Sequence, residues 1–301
     1  MITVCGQTFV GAAKSINQNV YCALSAETSL GDAALLAVCD GVGGLASGEV
    51  ASSAAIRELS RWFEGALPAY AAKNARGGAV DLRPIGEEWG ALLADLNARM
   101  WRYSRDLNVR MGTTLTALLV FGRRFAIGHV GDCRAYRVRG GSCEQLTRDQ
   151  TLIQREVEAG RISAEAALVH PRGSMILQAL VAQEAVDPAF YLGEAKEGDT
   201  FVVACDGFYR RLGEGGLLRA FADGPHATED ALRVSIADAM ARVLDAGEKD
   251  NITATCLHVG QPGPFSPASA SDDQPTELCC ASFSPSAPEA DDEPTVGLGA
   301  E

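Results

Sequence analysis

The chain has 301 residues, 47% hydrophobic and 22% charged, with a formal net charge of −13, which suffices to bury one large core or two modest ones. The negative field repels nucleic acid and anionic lipid, both polyanions, so neither is expected as a partner. Met1 to Val10 lacks a basic segment followed by an apolar one, and no run of about 18 apolar residues occurs, which predicts a cytoplasmic protein with no membrane contact.

Taken in chain order, Ala33 to Cys39 is a short apolar run ended by Asp40-Gly41 and reads as a buried strand. Glu49 to Glu64 and Glu87 to Asp106 carry apolar residues at three- and four-residue spacing, predicting amphipathic helices. Thr114 to Phe121, Arg124 to Val130 and Cys133 to Arg139 follow as strands, with Gly122-Arg123 and Gly140-Gly141 as hairpin turns, so the pairing is predicted to be largely antiparallel. Residues 147–198 break the pattern. They offer a helix from Thr151 to Ala159 stopped by Gly160, a second start at Ser163, and the irregular His170-Pro171-Arg172-Gly173, and they read as an excursion from the sheets beside a cleft. Thr200 to Cys205 and Ile252 to Val259 complete the strands, and the order fits two sheets packed face to face with helices outside.

From about Gln261 the periodicity disappears and Pro, Ser, Ala, Asp and Glu dominate. This predicts a globular unit over 1–260 and a disordered acidic tail over 261–301. The tail repeats a short pattern, Asp272-Asp273-Gln274-Pro275-Thr276 and Asp291-Asp292-Glu293-Pro294-Thr295. It reads either as a solvated low-complexity segment or as a carrier of two phosphoacceptors, Thr276 and Thr295, whose phosphates an Arg-bearing module would grip.

Nine cysteines, an odd number, with Cys39, Cys205 and Cys256 inside apolar runs, read as small core residues and not as a disulfide framework. Only four histidines and no Cys-x-x-Cys pair disfavour zinc. The chemistry concentrates instead on aspartate. Ala37-Val38-Cys39-Asp40-Gly41 and Val203-Ala204-Cys205-Asp206-Gly207 are near copies, Asp132 ends the run from Ile127, and Asp250-Asn251 precedes the strand from Ile252. One Asp-Gly after a strand is usually a turn. Four carboxylates at strand ends of one sandwich could converge, and two such charges about 4 Å apart repel by roughly 4 kcal/mol at an effective dielectric of 20, so hard divalent cations are expected to relieve them. Two ions about 3.5 to 4 Å apart can share a bridging hydroxide and stabilise an in-line displacement at phosphorus. Small residues at Gly41, Gly43 and Gly44 leave room for a backbone carbonyl or a phosphate to approach.

These residues resemble the metal-dependent protein phosphatases of the type 2C class, in their bacterial form. The resemblance runs from about Gln7 to Val259 and rests on Asp40-Gly41-Val42-Gly43-Gly44, Gly112-Thr113-Thr114, Gly128-His129-Val130-Gly131-Asp132, Leu146-Thr147-Arg148-Asp149-Gln150-Thr151, Asp206-Gly207 and Asp250-Asn251-Ile252-Thr253, in that order. It implies an α+β fold, a four-layer αββα sandwich with two central antiparallel β-sheets flanked by helices, in which 147–198 is the flap. It implies hydrolysis of phosphoserine and phosphothreonine in proteins, with Mn2+ or Mg2+ as cofactor and a Ser/Thr kinase as the opposing partner. Asp40 would bridge two cations, the Gly41 carbonyl would bind one, Asp206 and Asp250 would complete the other, and Asp132 matches the aspartate linked to a third, weaker cation.

The match has departures. Lys14-Ser15-Ile16-Asn17-Gln18-Asn19 stands where the family has Arg, two spacers, Asn, then Glu-Asp or Gln-Asp. Lys14 keeps the positive charge for a substrate phosphate without the two-pronged grip of a guanidinium. Asn19 and Asn251 would lie behind the metal ligands, and Asn19 lacks the carboxylate that usually orders water there. Gln178 replaces a frequent flap arginine, and Val42 replaces the histidine that some relatives carry. An alternative therefore stands beside the phosphatase: a catalytically weak module of the same fold that binds or regulates phosphoproteins. Bacterial relatives often work beside a kinase and a forkhead-associated protein, which the tail threonines would suit.

Overall fold

The computed structural model describes residues 1–42, 47–168, 170, 172–173, 175–222 and 228–261. Gly43, Gly44, Thr276 and Thr295 lie outside the described residues.

Three strands open the chain, β1 (Ile2–Phe9), β2 (Val20–Ala26) and β3 (Ala33–Cys39). Next come α1 (Gly48–Arg61), a π-helical turn over Trp62–Ala66, α2 (Leu67–Asn74), the small hairpin β4 (Ala75–Arg76) and β5 (Ala79–Val80), and the long α3 (Ile85–Asp106). Four strands follow, β6 (Leu115–Phe121), β7 (Arg124–Val130), β8 (Arg134–Arg139) and β9 (Ser142–Gln145), then the short helices α4 (Leu152–Glu158) and α5 (Ala164–Leu168). The chain closes with β10 (Ala189–Glu194), β11 (Thr200–Ala204), α6 (Asp206–Phe221), α7 (Glu229–Asp245) and β12 (Ile252–Val259).

The strands form two five-stranded sheets, ordered β1-β12-β11-β8-β9 and β10-β7-β6-β3-β2, and neighbours within them run antiparallel. All seven residues of β3 are buried, and the two-residue period of a strand explains why. Ala34, Leu36 and Val38 pack in one core with Val4, Phe201 and Val203 of the other sheet, while Leu35, Ala37 and Cys39 pack in a second core with Ile56, Leu59, Trp89 and Leu93 of α1 and α3. Phe208, Phe221, Ile236 and Ala239 of α6 and α7 join the first core from beyond the other sheet. Helices, sheet, sheet, helices is the αββα order that the sequence predicted.

The structure adds β1, β2 and β9 to the strands read from the sequence and differs from that reading in further ways. The segment over 147–198 does not stay outside the sheets, because β10 re-enters and pairs with β7 from Ala189 opposite His129 to Glu194 opposite Arg124. Its six residues are all partly or fully exposed, and its short apolar run, Ala189-Phe190-Tyr191-Leu192, takes strand form at the sheet edge through main-chain pairing with β7. Helix α6 escaped prediction because it holds four glycines and breaks at Gly213 (φ 59°, ψ 177°), and glycine is a poor helix former. Helix α7 was also unassigned; Thr228 caps it, its hydroxyl accepting a hydrogen bond from the Ala231 N–H at 3.2 Å.

Candidate functional site

One end of the sandwich collects the aspartates. Asp40 follows β3, Asp132 lies just past β7, Asp206 opens α6 behind β11, and Asp250 stands just before β12. All four line one open cavity of about 220 Å³, with Lys14, Gly41, Val42, Thr114 and Ile176. The segment over 147–198 therefore contributes an apolar lining residue, Ile176. Gln178 points its amide elsewhere: its Oε1 accepts from the Asp187 N–H at 2.8 Å and its Nδ-equivalent amide nitrogen, Nε2, donates to the Asp187 carbonyl at 3.2 Å.

Each aspartate is held by its backbone. The Asp40 N–H donates to Thr114 Oγ1 at 3.0 Å, and its carbonyl accepts from Thr113 Oγ1 at 3.0 Å and from the Thr114 N–H at 2.9 Å. The Gly112-Thr113-Thr114 motif thus clamps the residue that β3 delivers. A Cβ on Gly41 would come within 2.7 Å of the Gln18 side chain and 2.9 Å of the Gly48 backbone, so only glycine allows this approach of strand, N-terminal segment and helix. Asp206 sits in the first turn of α6, where aligned backbone N–H groups favour a negative charge. The Asp250 side chain accepts from the Asn251 N–H at 2.8 Å and pairs with Lys14 Nζ at 2.9 Å.

Asn251 acts from behind. Its Nδ2 donates to the carbonyls of Val10 at 2.7 Å and Ile16 at 3.1 Å, and its Oδ1 accepts from the Gln18 N–H at 3.0 Å. It therefore ties the segment that carries Lys14 to the start of β12. Asn19 is buried, and neither Oδ1 nor Nδ2 has a hydrogen-bond partner among the described residues. An orphaned buried amide is costly, and it marks a place where water or a cation belongs.

The charges are out of balance. Burial, then Asp206, Asp132 and Asp250, holds the Asp40 carboxyl far above the ordinary carboxylate range, against a smaller pull from Lys14. Burial, then Asp206 and Asp149, pushes Asp132 up to about 8. Burial also raises Asp206, although Arg210 opposes it, and the hydrogen bond to Asp250 raises Lys14. Carboxyls displaced upward together are carboxylates crowded without enough positive charge. Ligand atoms of Asp40, Asp206 and Cys205 lie within 4.8 Å of one another, but Cys205 is a poor third ligand. Burial holds its thiol far above the ordinary range, and its sulfur already accepts the Thr253 N–H at 3.1 Å. The donors that remain are oxygens, which select hard cations such as magnesium or manganese.

Two other nucleophile or acid sites fall away. Cys133 and Arg139 have the six-residue separation of a cysteine phosphatase loop, yet β8 runs between them and Arg139 forks onto Asp199. His129 is buried, within hydrogen-bonding distance of Thr116 Oγ1 at 2.8 Å and the Arg148 carbonyl at 3.1 Å, and burial lowers it to about 4. It is a packed residue of β7.

Against known proteins, the profile of the protein phosphatase 2C family matches residues 21–246, about three quarters of the chain. The chain belongs to the protein phosphatase 2C family. It is similar to the serine/threonine protein phosphatase PstP of Mycobacterium tuberculosis, 33% identical over 236 residues, which are 75% of this chain and 40% of the relative. The chain thus matches well under half the length of that relative. It is also similar to the serine/threonine phosphatase Stp of Listeria monocytogenes, 30% identical over 184 residues, covering 60% of this chain and 68% of the relative. Among solved structures, the catalytic domain of PstP in complex with two manganese ions superposes with a TM-score of 0.68 at 28% identity, over 86% of this chain and 99% of that one. The phosphatase 2C fold accounts for the two antiparallel sheets and the helices around them.

Two participants were not named from the sequence. Thr114 lines the cavity and was quoted only as part of a motif. Arg210 pairs with Asp206 and Asp132. Its signal was its position four residues after Asp206, readable only once α6 is known to be a helix.

Proposed function

We propose that the chain hydrolyses phosphoserine and phosphothreonine esters in proteins, using two divalent cations held by Asp40, the Gly41 carbonyl, Asp206 and Asp250. The observation that carries this reading is the meeting of those three carboxylates with Lys14 in one open cavity, in a chain of the phosphatase 2C family. When bound, two hard cations supply Lewis acidity toward phosphoryl oxygens and acidify water at the site. Manganese is favoured by the two manganese ions in the PstP structure, and magnesium fits the same donors.

The chain's own residues do the rest. Asp40, clamped by Thr113 and Thr114, and Asp206, set at a helix N-terminus, supply fixed carboxylates. Lys14 pairs with a half-exposed Asp250 in the cavity wall, and its ammonium is placed to move onto an incoming phosphate. Val42 and Ile176 form apolar rims. No histidine lines the cavity among the described residues, so the departing serine or threonine alkoxide takes its proton from water. Around this core we place the wider proposals: a cytoplasmic enzyme opposing a Ser/Thr kinase, with Thr276 and Thr295 as phosphoacceptors read by a forkhead-associated protein. The support is the repeated Asp-Asp-x-Pro-Thr pattern in an acidic tail.

The test is release of phosphate from a phosphothreonine peptide as Mn2+ is added, for the wild type and for the Asp40→Ala, Asp206→Ala double variant. Release that saturates with Mn2+ in the wild type alone supports the enzyme. Equal release from both removes it and leaves a phosphoprotein-binding module of the same fold.

A further inference from the structure

The Asp132 side of the cleft already has a cation. Arg210 stands on α6 one turn after Asp206, so both side chains leave the same face of the helix. Its Nη2 lies 3.2 Å from Asp206 Oδ2 and 3.6 Å from Asp132 Oδ2. Two carboxylates delivered by different elements therefore share one guanidinium. Their side chains are only 19% and 10% exposed, while that of Arg210 is 41% exposed. The guanidinium lies over the carboxylates on the solvent side.

The surroundings hold this arrangement in place. The Tyr209 hydroxyl donates to the Asp132 carbonyl at 2.9 Å, tying α6 to the turn after β7. Arg134 lies over the Tyr209 ring, its guanidinium carbon 4.1 Å from the ring centre, and forks onto Asp149 at 2.8 and 2.7 Å. Asp149 thus has its own arginine. Arg210 is the cation left for Asp132 among the described ion pairs.

We propose that Arg210 is this chain's built-in cation at the Asp132 side of the cleft, standing where a third divalent ion would sit, so that the protein binds two ions and not three. This rests on the two-ion reading of Asp40, Asp206 and Asp250 given above. A divalent ion bridging Asp132 and Asp206 must come within about 2.0 to 2.2 Å of an oxygen on each, for magnesium-like ions. The guanidinium nitrogen already approaches the same two oxygens, so a dication between them would have to displace a positive charge that is held there by two carboxylates. Arginine does not deprotonate in the working pH range, so the exclusion does not lapse with pH. The third, weaker cation that the family resemblance attached to Asp132 gives way to a side chain of the protein.

The test counts ions and needs no turnover. Metal-free full-length protein is titrated with Mn2+ by calorimetry, and free Mn2+ is followed in parallel by electron paramagnetic resonance. Circular dichroism and a thermal melt check that each variant is folded. The wild type binds two ions, and Asp132→Asn leaves the count at two. Arg210→Gln binds three, and the Arg210→Gln, Asp132→Asn double variant returns to two. Arg210→Met, which keeps the aliphatic stem, replaces Arg210→Gln if the latter does not fold. Three ions in the wild type, or two in a folded Arg210→Gln or Arg210→Met protein, overturns the proposal. No ion bound by the wild type overturns the two-ion reading itself, a result that neither of the other counts can mimic.

Discussion

The two walls of the cleft set cations against carboxylates in different ways. On one wall Lys14 rides an irregular segment and reaches a single carboxylate, Asp250, at 2.9 Å, with side chains 40% and 49% exposed. On the other, Arg210 rides a helix and lies between two largely buried carboxylates, Asp206 and Asp132. An exposed pair with one partner contributes little to stability, commonly below about 1 kcal/mol, which suits the exchange of Asp250 for a substrate phosphate that we propose for Lys14. The Arg210 guanidinium instead answers two shielded carboxylates at once. The same charge therefore meets one exposed carboxylate on one wall and two shielded ones on the other, and the difference comes from the element that carries it.

The comparison is broken most severely at Asp40, which lies between the walls. Asp40→Asn is expected to lower turnover on the order of a thousandfold or more, because it removes the carboxylate that we propose would hold both cations. The same variant melts at a higher temperature than the wild type when both are metal-free, since it removes a carboxylate held far above its ordinary pKa. Phosphate release and a paired thermal melt check the two halves of this expectation, and a lower melting temperature would contradict the second.

The walls touch at Gly207, where a Cβ would lie 2.2 Å from the Asn251 carbonyl oxygen. Gly207→Ala is expected to cost about 3 kcal/mol, measured by denaturant unfolding, because backbone and not a flexible side chain must move. It also pushes the start of α6 away from the residue that ties down the Lys14 segment. At Lys14 itself the effect is smaller and falls on recognition. Lys14→Ala is expected to reduce kcat/KM by about tenfold to a hundredfold, chiefly through KM, the range of one charge-assisted hydrogen bond. Lys14→Arg is expected to recover or exceed the wild-type value through a two-pronged grip. An unchanged KM in Lys14→Ala would separate Lys14 from the substrate.

The two walls also respond to pH. Asp132 and its neighbours have folded pKa values raised above the usual carboxylate value, Asp132 to about 8. A carboxyl raised in this way favours folding while it is protonated, and that contribution is lost as pH climbs from about 4 through 8. Metal-free protein is therefore expected to lose on the order of 5 °C of melting temperature across that range, and saturating Mn2+ to flatten the slope. The smallest effect is at Asn19. Asn19→Asp is expected to tighten Mn2+ binding about tenfold, read by calorimetry, because a carboxylate there would engage what the orphaned amide does not.

Strands β3, β6, β7, β11 and β12 could be read from the chain because burial along nearly their whole length selects mostly apolar residues, while β8 showed as a short segment between Asp132 and the Gly140-Gly141 turn. Asp40, Asp132, Asp206 and Asp250 were legible for the same reason, as abrupt carboxylates beside those runs. Strand β10 was not, because an edge strand depends on main-chain pairing with β7. Arg210 was not, because the glycines of α6 concealed the helix that aligns it with Asp206. Asn251 was singled out beside Asp250, but its bonds to Val10, Ile16 and Gln18 join distant parts of the sequence, and no local pattern encodes them.

The sequence by itself determined which residues would end the strands, and therefore that a cluster of acidic oxygens and glycines would gather where those strands end. Local apolar periodicity and turn chemistry act over a few residues, and both are written directly in the chain. Only the tertiary structure decided which cation answers which carboxylate. That choice depends on sheet order and helix placement, which bring Lys14 to Asp250 and Arg210 to Asp132 across long stretches of chain.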